Sequence, residues 1–102
     1  MGPVTLTTTD ASGGATLSAE CPMDWRTCPF NVGIGCVVVG TVAYSVQHTF
    51  DGTNWYDNAN ISGAVANADT NYMFPVLRVR LRQASGTGNV TATMLQSGPA
   101  GR

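Results

Sequence analysis

Residues 75–82 read Pro75-Val76-Leu77-Arg78-Val79-Arg80-Leu81-Arg82, and their alternation decides the fold class. Leu77, Val79 and Leu81 hold the odd positions; Arg78, Arg80 and Arg82 hold the even ones. Successive side chains of a strand point to opposite faces, so the run is apolar on one side and cationic on the other. A helix would scatter both sets around its circumference. The run therefore predicts a β-strand that seals a core with one face and displays three guanidiniums, about 6.5–7 Å apart, on the other. Pro75 places its first part at a sheet edge or bulge.

The same rule extends outward along the chain. Phe30, Val32, Ile34, Cys36 and Val38 share one parity, and the pattern resumes beyond Gly40 with Val42, Tyr44, Val46, His48 and Phe50 pointing one way. Gly40 between them reads as a turn or bulge; without a true break the two runs form one bent strand. Residues 4–9 read as a first strand, 15–19 as a short second one, and 21–29 as an irregular loop. Asp51-Gly52-Thr53-Asn54 is a hairpin turn. Residues 55–61 follow as an interrupted strand, and 62–71 as a loop of small residues. Ser85-Gly86-Thr87-Gly88-Asn89 reads as a second hairpin turn, and 90–96 as a closing strand with Val90, Ala92 and Met94 on one face. No segment keeps helical periodicity over two turns.

Seven to eight short strands spaced by turn signals predict a single all-β domain over residues 1–102. The expected architecture is an antiparallel β-sandwich, jelly-roll or Ig-like, with 1–3 and 97–102 as loose tails. The expected core is Phe30, Val32, Ile34, Val42, Tyr44, Val46, Phe50, Trp55, Phe74, Leu77, Val79, Leu81, Val90 and Met94.

Composition narrows the function. The chain has 102 residues, enough for one core, and is 43% hydrophobic but only 11% charged. Ordinary domains carry about 25% charged residues. All five cations are arginine, and the formal net charge is −1, which argues against a general nucleic-acid binder. A nearly neutral surface gives little colloidal repulsion and suits a protein covered by partners. The first residues have no basic and apolar leader pattern, and no run approaches the ~18 apolar residues of a membrane span. The chain is expected to be soluble, made in a cytoplasm and free of membrane contact.

Cys21, Cys28 and Cys36 are an odd number, which argues against a disulfide framework, although Cys21 and Cys28 are near enough to approach across a loop. Zinc needs four ligands, and the single histidine, His48, lies far along the chain. The three thiols read as buried or half-buried, with no metal and no cofactor.

Three groups are candidate sites. Arg78, Arg80 and Arg82 suit docking onto an acidic protein surface, since guanidinium pairs with carboxylate in a planar fork; in the plainer reading, cross-strand partners or water satisfy them. Trp55, Tyr56 and Asp57 follow the first hairpin turn, and parity puts Trp55 and Asp57 on one face and Tyr56 on the other. An exposed aromatic pair there would stack on a sugar ring; in the plainer reading Trp55 sits in the core and Tyr56 covers an edge. His48 lies on an apolar face, and Ser45 points the opposite way, so a Ser-His-Asp arrangement is not supported. The six carboxylates are dispersed, so no catalytic pair is apparent and the chain is not expected to be an enzyme.

The ordered set Tyr44-Ser45-Val46-Gln47-His48-Thr49-Phe50-Asp51, Trp55-Tyr56-Asp57, Phe74-Pro75-Val76-Leu77-Arg78-Val79-Arg80-Leu81, Gly88-Asn89-Val90-Thr91 and Leu95-Gln96 resembles small tailed-bacteriophage virion proteins of the capsid decoration, or cement, type. The likeness spans roughly residues 30–96. It implies a noncatalytic sandwich on the capsid surface, with the major capsid protein as partner. It also implies a homo-oligomer, dimer or trimer, at capsid symmetry axes. Arg78, Arg80 and Arg82 would then pair with capsid carboxylates or tie subunits together. The alternative is a carbohydrate-binding or host-adhesion module of a phage tail or head fibre, with Trp55, Tyr56 and Asp57 as its platform.

Overall fold

A computed structural model describes residues 3–26 and 30–96. The described strands are β1 (Val4–Thr9), β2 (Thr16–Leu17), β3 (Cys21–Pro22), β4 (Val32–Val39), β5 (Ala43–Thr49), β6 (Trp55–Asp57), β7 (Ala68–Tyr72), β8 (Arg78–Ser85) and β9 (Asn89–Gln96). They form two sheets, one ordered β1-β9-β4-β7 and the other β2-β8-β5-β6, with β3 also paired to β8. All pairings are antiparallel. β2 lies opposite Arg82 and Gln83, and β3 opposite Arg78 and Val79, so the two behave as one interrupted strand along β8. Eight strand positions in these two orders make a jelly roll, which resolves the choice against an Ig-like topology.

Two segments read as loops contain strands. β3 forms within 21–29 because its backbone completes the edge of β8, and β7 forms within 62–71 because it pairs with β4 from Val32 to Cys36. Neither has the apolar alternation by which strands are recognised in sequence.

The turns also act differently from their local appearance. Among chain neighbours, only β2–β3 and β5–β6 stay in the same sheet. The Asp51–Asn54 turn is the hairpin its sequence predicts. The Ser85–Asn89 turn is not; it carries the chain from one sheet to the other, as does Gly40 between β4 and β5. These two crossovers pack on each other. Gly88 N donates to Thr41 O at 2.9 Å. Gly86 has φ +98°, and a Cβ there would overlap the Thr41 carbonyl oxygen. Only glycine tolerates both the backbone angle and the contact.

The core lies between the inner faces: Val32, Ile34 and Cys36 of β4, Tyr44 and Val46 of β5, Val79 and Leu81 of β8, and Val90, Ala92 and Met94 of β9 are buried. Each large side chain removed from water contributes about 1.5–3 kcal/mol before entropy. Gln83 is fully buried among them. Its Oε1 accepts from Thr8 Oγ1 at 2.9 Å, and its Nε2 donates to the carbonyls of Gly86 at 3.1 Å and Gly88 at 2.9 Å. That amide joins the two sheets and fixes the crossover.

Four expected core residues lie elsewhere. Leu77 and Trp55 are only half-buried, and Phe50 and Phe74 are 54% and 46% exposed. β8 begins at Arg78, so alternation slips upstream of it and Val76, not Leu77, enters the core. Phe50 and Phe74 keep the inward parity but stand beyond the ends of the strands, where no layer covers them. Leu6, Met23, Ile61 and Tyr72 fill the core instead. Residues 97–102, expected as a loose tail, lie outside the described residues, as does Cys28.

Candidate interaction surface

β8 alternates as its sequence predicts: Val79, Leu81 and Gln83 are buried, and Arg78, Arg80 and Arg82 face outward, half-buried. The cross-strand register decides what each guanidinium meets. Gln47 lies between Arg80 on one side and Asp57 on the other, Thr49 between Arg78 and Trp55, and Ser45 beside Arg82.

Arg80 is the most enclosed of the three. Its Nε donates to Gln47 Oε1 at 2.9 Å, and its guanidinium lies 4.0 Å from the centre of the Trp55 ring. Gln47 Nε2 donates to Asp57 Oδ1 at 2.8 Å, and Ser62 Oγ donates to Asp57 Oδ2 at 3.1 Å. Burial lowers the Arg80 pKa, Arg82 lowers it further and Glu20 opposes both; the guanidinium remains cationic at any physiological pH. Arg78 Nη1 forms an exposed ion pair with Glu20 Oε1 at 3.1 Å. Such pairs are worth about 0–1 kcal/mol, so exchanging Glu20 for another carboxylate costs little. Arg82 has no hydrogen-bond or ion-pair partner among the described residues.

Arg80, Trp55 and Asp57 thus belong to one outward face, while Tyr56 points to the other side of β6. Trp55, Tyr56 and Asp57 do not form a common platform, and one face of the Trp55 indole is taken by Arg80. Thr49 on this face is fully buried beneath the hairpin turn, its Oγ1 donating to Asn54 O at 2.7 Å and accepting from Gly52 N at 2.9 Å. Asp51 accepts from the backbone N–H of Asn54 and of Thr53, and these bonds hold its carboxyl well below the usual carboxylate range. The carboxylate is spent on shaping the turn.

Tyr56 stacks on His48 at 5.8 Å, and the His48 ring also meets Phe50, Tyr72 and Phe74 at 5.4, 4.9 and 5.6 Å. His48 Nδ1 lies 2.8 Å from Tyr72 Oη. Burial pushes the His48 pKa down, partly opposed by the Asp57 charge, while burial pushes Tyr72 up. At neutral pH both groups are therefore uncharged and share one hydrogen bond. Ser45 is turned away and accepts from Gly63 N at 3.0 Å. Around His48 the rim rings of Phe50, Tyr56 and Phe74 reach solvent. Sequence reading missed this aromatic rim; the shared parity of His48 and Phe50 marked the side but not the missing cover.

A cleft of about 320 Å³ continues from the rim, lined by Trp25, Phe50, Pro75, Val76 and Leu77. The Gln96 side-chain amide fixes the backbone next to Trp25, donating to Asp24 O at 2.8 Å and accepting from Asp24 N at 3.0 Å. Leu77 is held by backbone bonds to Thr49 and Met23.

Cys21 and Cys36 are buried free thiols. Burial pushes Cys36 up to about 11, against a weaker opposing hydrogen bond from Tyr44, so it is protonated and unreactive. Among the described residues no cluster of His, Cys, Asp and Glu is placed to hold a metal ion. No helix is long and apolar enough to cross a membrane.

No protein-family model matches the chain, and no curated protein matches it by sequence. In fold it is similar to the SPBc2 prophage-derived protein YomS, at 13% identity and a TM-score of 0.51, over 95% of this chain and 96% of that one. It is also similar to the Yersinia pseudotuberculosis-derived mitogen, at 9% identity and a TM-score of 0.47, over 99% and 89% of the two chains. A chain of the infectious bursal disease virus Gx strain overlaps at 15% identity and a TM-score of 0.37, over 97% of this chain and 33% of that one. At these identities the likeness is one of fold; of the three, YomS alone exceeds a TM-score of 0.5.

Proposed function

We propose that this chain is a structural protein of a bacteriophage virion, a decoration or cement protein that binds the major capsid protein from outside and stabilises the head in many copies. The observation that carries the reading is the outer face of β8. Three like charges stand in one row on a rigid sheet, the Arg82 side chain has no hydrogen-bond or ion-pair partner among the described residues, and Arg78 has only an exposed one. Like charges so placed repel one another, whereas carboxylates on an acidic surface would be matched by them. The fold shared with a prophage-derived protein agrees with a phage origin. Repetition over a capsid lets each contact be weak, and self-association as a dimer or trimer would raise effective concentration further. The reading requires no catalytic step.

The competing reading, a carbohydrate-binding or host-adhesion module, is favoured by one feature: the exposed Tyr56 ring beside Phe50. Particles purified on a density gradient separate the two. A decoration protein co-purifies with heads at high copy number, and Arg82→Glu, on an outward-facing row, lowers its occupancy without lowering its melting temperature. Recovery from the host cytosol alone rejects the proposal. Binding on a glycan array that Tyr56→Ala abolishes supports the competitor.

A further inference from the structure

The cleft beside Trp25 and the arginine row meet at one end of the β2-β8-β5-β6 sheet. Phe50 follows the end of β5, Pro75–Leu77 lead into β8, and Trp25 lies just past β3. A Cβ on Gly52 would lie 3.6 Å from Arg78 Nη1, so the first guanidinium of the row rests against the turn that Phe50 enters. At the far wall the Arg26 guanidinium lies 4.8 Å from the centre of the Trp25 ring. An apolar hollow is therefore flanked by cations, with Arg80 and Arg82 continuing the row away from it.

We propose that this cleft is the anchor pocket of the docking face. Its occupant is an extended acidic segment of a different protein, which inserts one large apolar side chain and lays carboxylates along Arg78, Arg80 and Arg82. The inference rests on the reading of that face as the docking surface and adds what the partner must carry. Three observations support it. The backbone around the hollow is set in advance: the Gln96 clamp fixes Asp24, next to Trp25, and the Thr49 and Met23 backbones hold Leu77, so little backbone ordering is lost on binding. Its 320 Å³ falls at the small end of ligand-sized clefts and suits one aromatic or branched aliphatic side chain. Buried aromatic anchors dominate interface energies, and the charges beside them set register and partner choice.

The charges also exclude a second copy as occupant. Leu77 to Arg82 spans roughly 17 Å at strand rise, so the segment must place acids at alternate positions over five residues. The chain's own carboxylates, Asp10, Glu20, Asp24, Asp51, Asp57 and Asp69, include no such pair.

The test is calorimetry on the full chain with the hexapeptide Phe-Asp-Thr-Asp-Thr-Asp and its reversed sequence. One of the two should bind at a single site. Replacing its Phe by Ala, or its three Asp by Asn, should each weaken binding at least tenfold. Phe50→Ala in the protein should remove the dependence on the peptide's Phe and leave that on its Asp; Arg82→Gln should weaken the Asp dependence alone. Trp25→Ala replaces Phe50→Ala if the latter melts early. The proposal is overturned if neither peptide binds at millimolar concentration, if the Ala peptide binds as tightly, if a single-stranded oligonucleotide competes equally, or if sedimentation shows a dimer that blocks the cleft. Loss of peptide binding with Arg82-dependent attachment to heads intact sinks this inference alone. Peptide binding by a protein absent from heads sinks the virion reading and leaves the pocket.

Discussion

On the outer face of the β1-β9-β4-β7 sheet stand Thr5, Thr7, Thr9, Thr91, Thr93, Gly33, Gly35, Val37 and Val39, and Asp69 is the only charged side chain in its four strands. On the outer face of the other sheet, Arg78, Arg80 and Arg82 stand among Gln47, Trp55, Asp57 and Glu20. Both sheets bury an apolar inner face by the same alternation, so burial does not account for the difference. The first surface carries mostly short side chains and a single charge, and it leaves Val37 and Val39 exposed. The second spends long side chains, with their rotamer entropy, on a network that stops short of Arg82. Gly33 and Gly35 sharpen the contrast: neither has positive φ, and no atom lies within 4 Å of a Cβ built on either. The fold does not require them to be glycine.

The largest effect should come from breaking the premise that both inner faces are core. Val79→Asp places an unpaired carboxylate where the side chain is 1% exposed. The cost, several kcal/mol against a typical total of about 5–15 kcal/mol, should abolish the cooperative urea transition. A wild-type midpoint would mean that the inner and outer faces are exchanged.

Next comes the joint between the sheets. Gly86→Ala should lose about 2–3 kcal/mol in denaturant titration, from backbone strain plus overlap with the Thr41 carbonyl. Retained stability would show that the paired crossovers yield.

A smaller effect belongs to His48. Its pKa lies below the ordinary value in the folded chain, so the unfolded chain binds the proton more readily. Stability is then full above about pH 6.5 and declines as pH falls through the folded pKa. Melting temperature should fall between pH 7 and 5 in the native chain and less so in His48→Gln. The depressed carboxyls Asp10 and Asp51 keep their contribution across this range and lose it only at lower pH. Parallel curves for the two proteins would show that folding leaves the proton affinity of His48 unchanged.

The smallest effect tests the neutral face. Gly35→Ala should raise stability by about 0.5–1 kcal/mol, since it restricts the unfolded chain and meets open space. A loss would reveal a packing duty for that glycine.

Much of this was legible in the residues. Alternation marked β4, β5, β8 and β9 and the outward arginines, and Asp51-Gly52 marked the β5–β6 hairpin. The Ser85–Asn89 turn was misread because glycine-rich turns look alike whether a chain returns beside itself or crosses to another layer. β7 was missed because Ala68–Tyr72 is polar and takes its strand form from pairing with β4. The role of Gln47 was not visible because it depends on two cross-strand neighbours, Arg80 and Asp57, that lie far along the chain.

Period-two patterning is a local property of a strand, so the sequence alone determined the fold class, the buried sides and the existence of a cationic row. Coverage is not local. Whether an inward-pointing ring is buried depends on what lies above it, and which guanidinium keeps a partner depends on register. The jelly-roll order, the exposed rim of Phe50, Tyr56 and Phe74, the cleft beside Trp25 and the partners of Arg78 and Arg80 were therefore decided only when the two sheets closed on each other.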